Sequence, residues 1–170
     1  MAGWRRMSEP AHRYLIALGG NVRHVRHGAP ARVLAAAMDG LVRGPTQVMA
    51  RSRIMQSPPV GPSRRTYANA AVLVATDLDP PEMLDNLKSL EHRFDRATGG
   101  QRWSARTLDC DIVLWSGGAW CDADLTIPHP EYRRRDFVLI PALDVAPDWR
   151  DPLGGLTIRQ LLFRLRRQGA

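Results

Sequence analysis

Along this chain the apolar residues switch repeatedly between the strand period of two and the helical period near 3.6, and the order of the switches limits the folds open to it. Tyr14-Leu-Ile-Ala-Leu18 is a short apolar run closed by Gly19-Gly20-Asn21, a strand entering a turn. From Pro30 to Val42, apolar side chains fall at Val33, Leu34, Ala37, Met38 and Leu41, one face of a helix. Pro30 suits its first turn and Gly44 its C-terminal cap. Gln47 to Gln56 reads as a second strand, polar on one face. Tyr67 to Thr76 reads as a third, with Ala70 to Ala75 apolar enough to be buried on both faces. Asp79-Pro-Pro-Glu82 opens a second helix, with Asp79 as cap and an acid near the positive end of the dipole. Met83, Leu84, Leu87, Leu90 and Phe94 form its apolar face. Asp109 to Trp115 is a further strand. The order β-α-β-β-α-β predicts an α+β protein: a ferredoxin-like α/β sandwich, its sheet mostly antiparallel, with helices on both sides. Two helices are expected to cover one face and leave the other for a site.

The linking segments carry their own signals. Three prolines in Ser57-Pro-Pro-Val-Gly-Pro62 remove donors and fix φ, so this stretch is a loop. Ala119–Cys121 and Leu125–Ile127 are short strand candidates. A basic loop follows Pro128-His129-Pro130, and Asp136–Leu143 is a short helix stopped by Pro147. Thr157 caps a last amphipathic helix, Ile158–Leu165. The expected organisation is one domain over residues 1–170, with 1–12 as an N-terminal extension and Met7 as a second candidate start.

Composition excludes several classes. With 170 residues, 44% hydrophobic and 24% charged, the chain can bury a full core. No apolar run approaches the roughly 20 residues that span a bilayer, and no secretory signal is legible, so a cytoplasmic location is expected. Cys110 and Cys121 are the only cysteines, which makes neither a disulfide framework nor a zinc site. The net charge is +7 and Lys88 is the only lysine, so the excess is arginine. An anionic partner is implied: nucleic acid, a membrane surface or a phosphorylated small molecule.

Arg102-Trp-Ser-Ala-Arg106-Thr-Leu-Asp109-Cys-Asp111-Ile-Val-Leu-Trp115 narrows that choice. On a strand, Asp109 and Asp111 project to one side while Cys110 and Ile112 point to the other. Two adjacent carboxylates repel unless a cation neutralises them. Hard divalent ions suit such a pair, Mg²⁺ above all, when phosphate oxygens complete the coordination. Nearby arginines then hold the phosphates by bidentate hydrogen bonds. An RNA-binding sheet would carry a Lys/Arg-Gly-Phe/Tyr run on a central strand; none is present, and unfilled strand carboxylates would repel a phosphate backbone. No nucleic-acid or membrane partner is expected.

An ordered series of motifs then resembles the 6-hydroxymethyl-7,8-dihydropterin pyrophosphokinase family: Ala17-Leu-Gly-Gly-Asn21, Ser57-Pro-Pro-Val-Gly-Pro62, Tyr67-Ala-Asn69-Ala, Arg102-Trp103, Arg106-Thr-Leu-Asp109-Cys-Asp111, and Ile127-Pro-His129-Pro with Arg135-Asp-Phe137. The resemblance runs from Tyr14 to about Leu165. It implies transfer of pyrophosphate from ATP to a pterin alcohol in folate biosynthesis, with AMP released, by a monomer. It implies Asp109 and Asp111 as ligands of two Mg²⁺ ions. The pterin would lie between Tyr67 and Phe137, with Asn69 reading its edge, main chain around Ser57, Pro58 and Val60 adding contacts, and Trp103 on a closing loop. ATP would meet Glu91, Arg96, Trp103, Arg106, Ile112, His129 and Arg135, with Arg96 and Arg106 stabilising developing charge. Gly20 stands where the family usually has serine, Lys88 where many members have glutamine or another polar group, and Thr98 where some carry an arginine. Ser104-Ala105 replaces Gly-Pro, and Cys110 takes an aliphatic position.

Overall fold

A computed structural model describes residues 9–58, 66–95 and 107–169. Its elements follow the order β1 (His12–Gly20), α1 (Pro30–Val42), β2 (Thr46–Arg51), β3 (Met55–Ser57), β4 (Tyr67–Thr76), α2 (Pro80–Asp95), β5 (Asp109–Trp115), β6 (Trp120–Cys121), β7 (Thr126–Ile127), α3 (Asp136–Val145) and α4 (Ile158–Gln168). A single 3-10 turn, Tyr132–Arg134, precedes α3. β1 to β5 form one antiparallel sheet in the order β2-β4-β1-β5, with β3 also against β4; β6 and β7 pair as a separate hairpin. The chain order and sheet order together are those of the expected α+β sandwich.

Each side of the sheet has its own core. Even-numbered positions of β1, β4 and β5, among them Tyr14, Ile16, Val72, Val74, Cys110 and Ile112, pack with Val33, Leu34, Met38, Met83, Leu87 and Leu90 of α1 and α2. On the other side Leu15, Ala71, Val113 and Leu114 pack with Leu139 and Ala142 of α3 and with Ile158, Leu161 and Leu162 of α4. Val113 and Leu114 share a side because the β1–β5 register shifts between Leu15 and Ile16, which pair with Leu114 and Ile112. The second face is therefore largely covered by helices, and what remains for a site is its end beside Gly19 and Asp109.

Gln47–Gln56 does not form the continuous strand expected of it. Ser52 interrupts it: the Ala71 amide donates to Ser52 Oγ at 2.8 Å, so a hydroxyl replaces a backbone acceptor in the ladder. Arg53 then turns out to Asp144 of α3, with Nε at 3.1 Å from Oδ2 and Nη2 at 3.0 Å from Oδ1. Pairing with β4 resumes at Met55, opposite Asn69. The helix starts follow their caps. Asp79 and Glu82 exchange backbone-to-carboxylate bonds at 3.0 and 2.9 Å. Thr157 and Gln160 do the same for α4, which runs on to Gln168. α1 ends on Arg43 as its cap residue, with Gly44 N–H donating to Leu41 O.

Candidate active site

The site begins with two small residues on the central strand. Gly19 of β1 pairs with Asn69 on one side and Asp109 on the other; Ala17 pairs with Ala71 and Asp111. A glycine and an alanine at these registers leave a depression between the Asn69 amide and the two carboxylates. Asn69 and Asp109 stand two strand spacings apart, about 10 Å. The depression opens into a cavity of about 500 Å³, within the range that encloses a small organic ligand. Its lining includes Ser57, Tyr67, Asn69, Asp109, Asp111, Arg134, Arg135 and Phe137.

One wall is fixed by a buried hydrogen bond. Asn69 Nδ2 donates to Ser57 Oγ at 2.7 Å, and both side chains are buried. Because the amide nitrogen is engaged there, Asn69 Oδ1 lies over Gly19, where a Cβ would sit 3.6 Å from it. The floor carries the acids. Asp109 and Asp111 are half-buried on the cavity side, whereas Cys110 and Ile112 are 6% and 3% exposed in the core on the opposite side. Burial, with the charges of Glu91, Asp109 and Asp111 around it, pushes the Cys110 thiol well up, so it stays protonated and inert.

His129 reaches the acids through the bulge on β5. Its backbone N–H donates to Val113 O at 3.0 Å, and its ring Nε2 lies 3.8 Å from Asp111 Oδ2. Opposite, Phe137 opens α3 with the Arg135 guanidinium 5.9 Å from its ring centroid. An all-oxygen pair of carboxylates fits Mg²⁺, which takes one or two carboxylates and completes its shell with water and phosphate oxygens. Among the described residues no group of three or more His, Cys, Asp or Glu converges as a metal cage.

Several expected residues lie elsewhere. Ile112 has its side chain in the α1/α2 core, so only its main chain is available to a nucleotide. Glu91 is on α2, on the far side of the sheet from the cavity, and its Oε1 accepts the Cys110 amide at 2.6 Å. It ties α2 to the start of β5, between the two aspartates. Pro58 is exposed and does not line the cavity. Val60, Arg96, Trp103 and Arg106 lie outside the described residues. Arg134 lines the cavity without having been singled out from the sequence. The signal available was three successive arginines before a helix, which reads equally as a solvated basic run.

The family model for 7,8-dihydro-6-hydroxymethylpterin-pyrophosphokinase matches residues 15–147. A Synechocystis protein named 2-amino-4-hydroxy-6-hydroxymethyldihydropteridine pyrophosphokinase is 36% identical over 154 residues, covering 91% of this chain and 76% of its own. The protein of the same name from Methylorubrum extorquens is 35% identical over 159 residues, covering 92% of this chain and 96% of its own. Among solved structures, Plasmodium falciparum HPPK-DHPS with pteroate superposes with a TM-score of 0.70 at 13% identity over 92% of this chain. This chain spans only 45% of that longer protein, and at such identity the likeness is one of fold. By its match to the family model and to these relatives, the chain belongs to the 7,8-dihydro-6-hydroxymethylpterin-pyrophosphokinase family.

Proposed function

We propose that this protein, as one pyrophosphokinase domain, transfers the pyrophosphoryl group of ATP to the hydroxymethyl oxygen of 6-hydroxymethyl-7,8-dihydropterin and releases AMP, a step of folate biosynthesis. The observation that carries the reading is the cavity itself. It joins two aromatic side chains, an amide held by Ser57 and, about two strand spacings from that amide, a carboxylate pair, with Arg134 and Arg135 also in the lining.

The hydroxymethyl oxygen attacks the β-phosphorus of ATP in line; the new P–O bond forms as the bond from that phosphorus to the oxygen bridging the α- and β-phosphorus breaks, AMP leaves with that oxygen, and the hydroxyl proton is released to water. Such transfers depend on alignment and charge neutralisation more than on covalent help from the protein. Tyr67 and Phe137 are suited to hold the flat pterin by its faces, and Asn69 to read its edge, which points the hydroxymethyl group toward Asp109 and Asp111. Those carboxylates would hold Mg²⁺, two ions by the motif's resemblance, which when bound supply charge neutralisation and orientation of the phosphate oxygens. His129, whose ring Nε2 is 3.8 Å from Asp111 Oδ2, and Arg135, which lines the cavity, would meet phosphate oxygens. Arg96 and Arg106 take their roles from the sequence motif alone: stabilising charge on the bridging oxygen and the α-phosphate.

Purified protein with ATP, Mg²⁺ and 6-hydroxymethyl-7,8-dihydropterin, resolved for nucleotide products, tests the reading. AMP formed only when pterin is present is the expected result. ADP would indicate a simple kinase, and bound ATP without product a catalytically silent relative; either would overturn the proposal.

A further inference from the structure

The three successive arginines before α3 do different jobs. A 3-10 turn advances about 120° per residue, so Tyr132, Arg133 and Arg134 leave it in three directions. Tyr132 is fully buried in the α3/α4 core. Arg133 lies against that ring, its Cζ 4.8 Å from the centroid, and makes a two-pronged pair with Asp151: Nε to Oδ2 at 2.6 Å and Nη2 to Oδ1 at 2.7 Å. Asp151 is only 1% exposed, and its Oδ1 also accepts the Leu153 amide at 3.1 Å. Its own backbone N–H donates to Leu156 O at 2.9 Å, just before the capped start of α4. The turn is thus pinned at its middle residue to the loop before α4. The residues that follow the clamped one, Arg134 and Arg135, both line the cavity that holds Asp109 and Asp111.

We propose that Arg134 is a further phosphate-binding residue of this site, acting beside Arg135 on the polyphosphate of the substrate, and that the Arg133–Asp151 clamp is what presents it. The inference rests on the pyrophosphoryl-transfer reading and deepens it. A carboxylate floor repels a triphosphate that arrives without its full complement of cations, so fixed positive charge on the facing wall assists binding. A guanidinium does this with a planar fork that matches two phosphate oxygens. The clamp fixes the backbone from which Arg134 leaves, so its side chain starts on the cavity side of the turn before substrate arrives. Arg133 contributes no charge to the cavity, because its guanidinium is spent on Asp151.

The test uses the whole protein and two readouts, the KM for ATP at saturating pterin and the Kd of inorganic tripolyphosphate by calorimetry. Arg134→Gln is expected to raise both about tenfold, the loss of one charge-assisted contact, while the Kd for pterin stays within twofold. Arg134→Lys should recover part of the loss. Arg159→Gln on α4, away from the cavity, controls for net charge and should leave both readouts unchanged. Asp151→Asn, with Arg133→Lys as the milder alternative, is expected to raise the KM for ATP several-fold at unchanged kcat. In the Arg134→Gln background the rise should be smaller, limited to the part that passes through Arg135. The phosphate role is overturned if Arg134→Gln moves ATP and tripolyphosphate no more than Arg159→Gln does. The clamp is overturned if Asp151→Asn raises the KM by the same factor with and without Arg134. Should the wild-type protein make no AMP, the transfer reading fails, while a weakened tripolyphosphate Kd in Arg134→Gln would still support the anion contact.

Discussion

A single methyl group at residue 20 would collide with the Thr107 carbonyl. β1 and the segment entering β5 approach too closely at Gly20 for any side chain. Gly20→Ala should lower stability by about 1–3 kcal/mol, the range for overpacking, with loss of activity alongside, because the colliding carbonyl lies two residues before Asp109. Urea unfolding reads the first effect and the AMP assay the second. The carboxylates answer to a different test. Asp109→Ala should lower kcat by ~10³-fold or more, several kcal/mol of charge stabilisation, because phosphate charge is then left uncompensated. Pterin binding, measured by its fluorescence, should change only a few-fold, since Asn69 stands about two strand spacings away. Equal loss of both would mean that Asp109 holds the pterin or the fold instead.

At the scale of elements, the helix starts were legible because capping is local chemistry. Asp79 with Glu82, and Thr157 with Gln160, are spaced to exchange hydrogen bonds within one turn, whatever surrounds them. Thr157→Ala should cost about 1 kcal/mol in urea unfolding and leave the KM for pterin unchanged, since the cap lies at the start of α4 and the packing of α4 on α3 is untouched. The break between β2 and β3 was not legible. Ser52 ends the first strand by offering its hydroxyl to Ala71, and only the partner strand makes that offer an alternative to pairing. α3 was legible as a helix but not as a cover for the second face. Its apolar residues run almost all round it, so they give no direction to the core they enter.

For the whole molecule, the loop before α4 couples stability to pH. Burial alone would raise the Asp151 carboxyl; the Arg133 hydrogen bonds, the Leu153 and Gly154 amides and the Arg133 charge outweigh it and hold it below the ordinary carboxylate range. A carboxyl depressed by folding stabilises fully above its unfolded value of about 3.9, and that contribution is lost as pH falls through the lower folded value. The Tm difference between wild type and Asp151→Asn should therefore be steady from pH 7 to about 5 and shrink as pH falls below 4. A difference that stays constant down to pH 3 would show that Asp151 acts through shape and not through its charge. His24 is also acid-sensitive: burial first, then the nearby His27 and Arg26, lower its pKa. It drops out of the comparison because both proteins carry it.

The order of periods along the chain determined the sandwich, because strand and helix spacing are properties of local sequence that only one economical topology satisfies here. The alternation of β5 likewise determined which side Asp109 and Asp111 would share and that Cys110 and Ile112 would oppose them. The motif series determined the family. Tertiary structure alone decided what depends on residues distant in the chain. Gly19 and Ala17 became a floor only because Asn69 and Asp109 flank them across the sheet. Glu91 became a tie between α2 and β5, accepting the Cys110 amide. Among three neighbouring arginines, only the buried Asp151 separates the one that clamps from the two that face the ligand space. Side-chain chemistry is written locally; which group it meets is fixed by packing, and packing is a property of the folded whole.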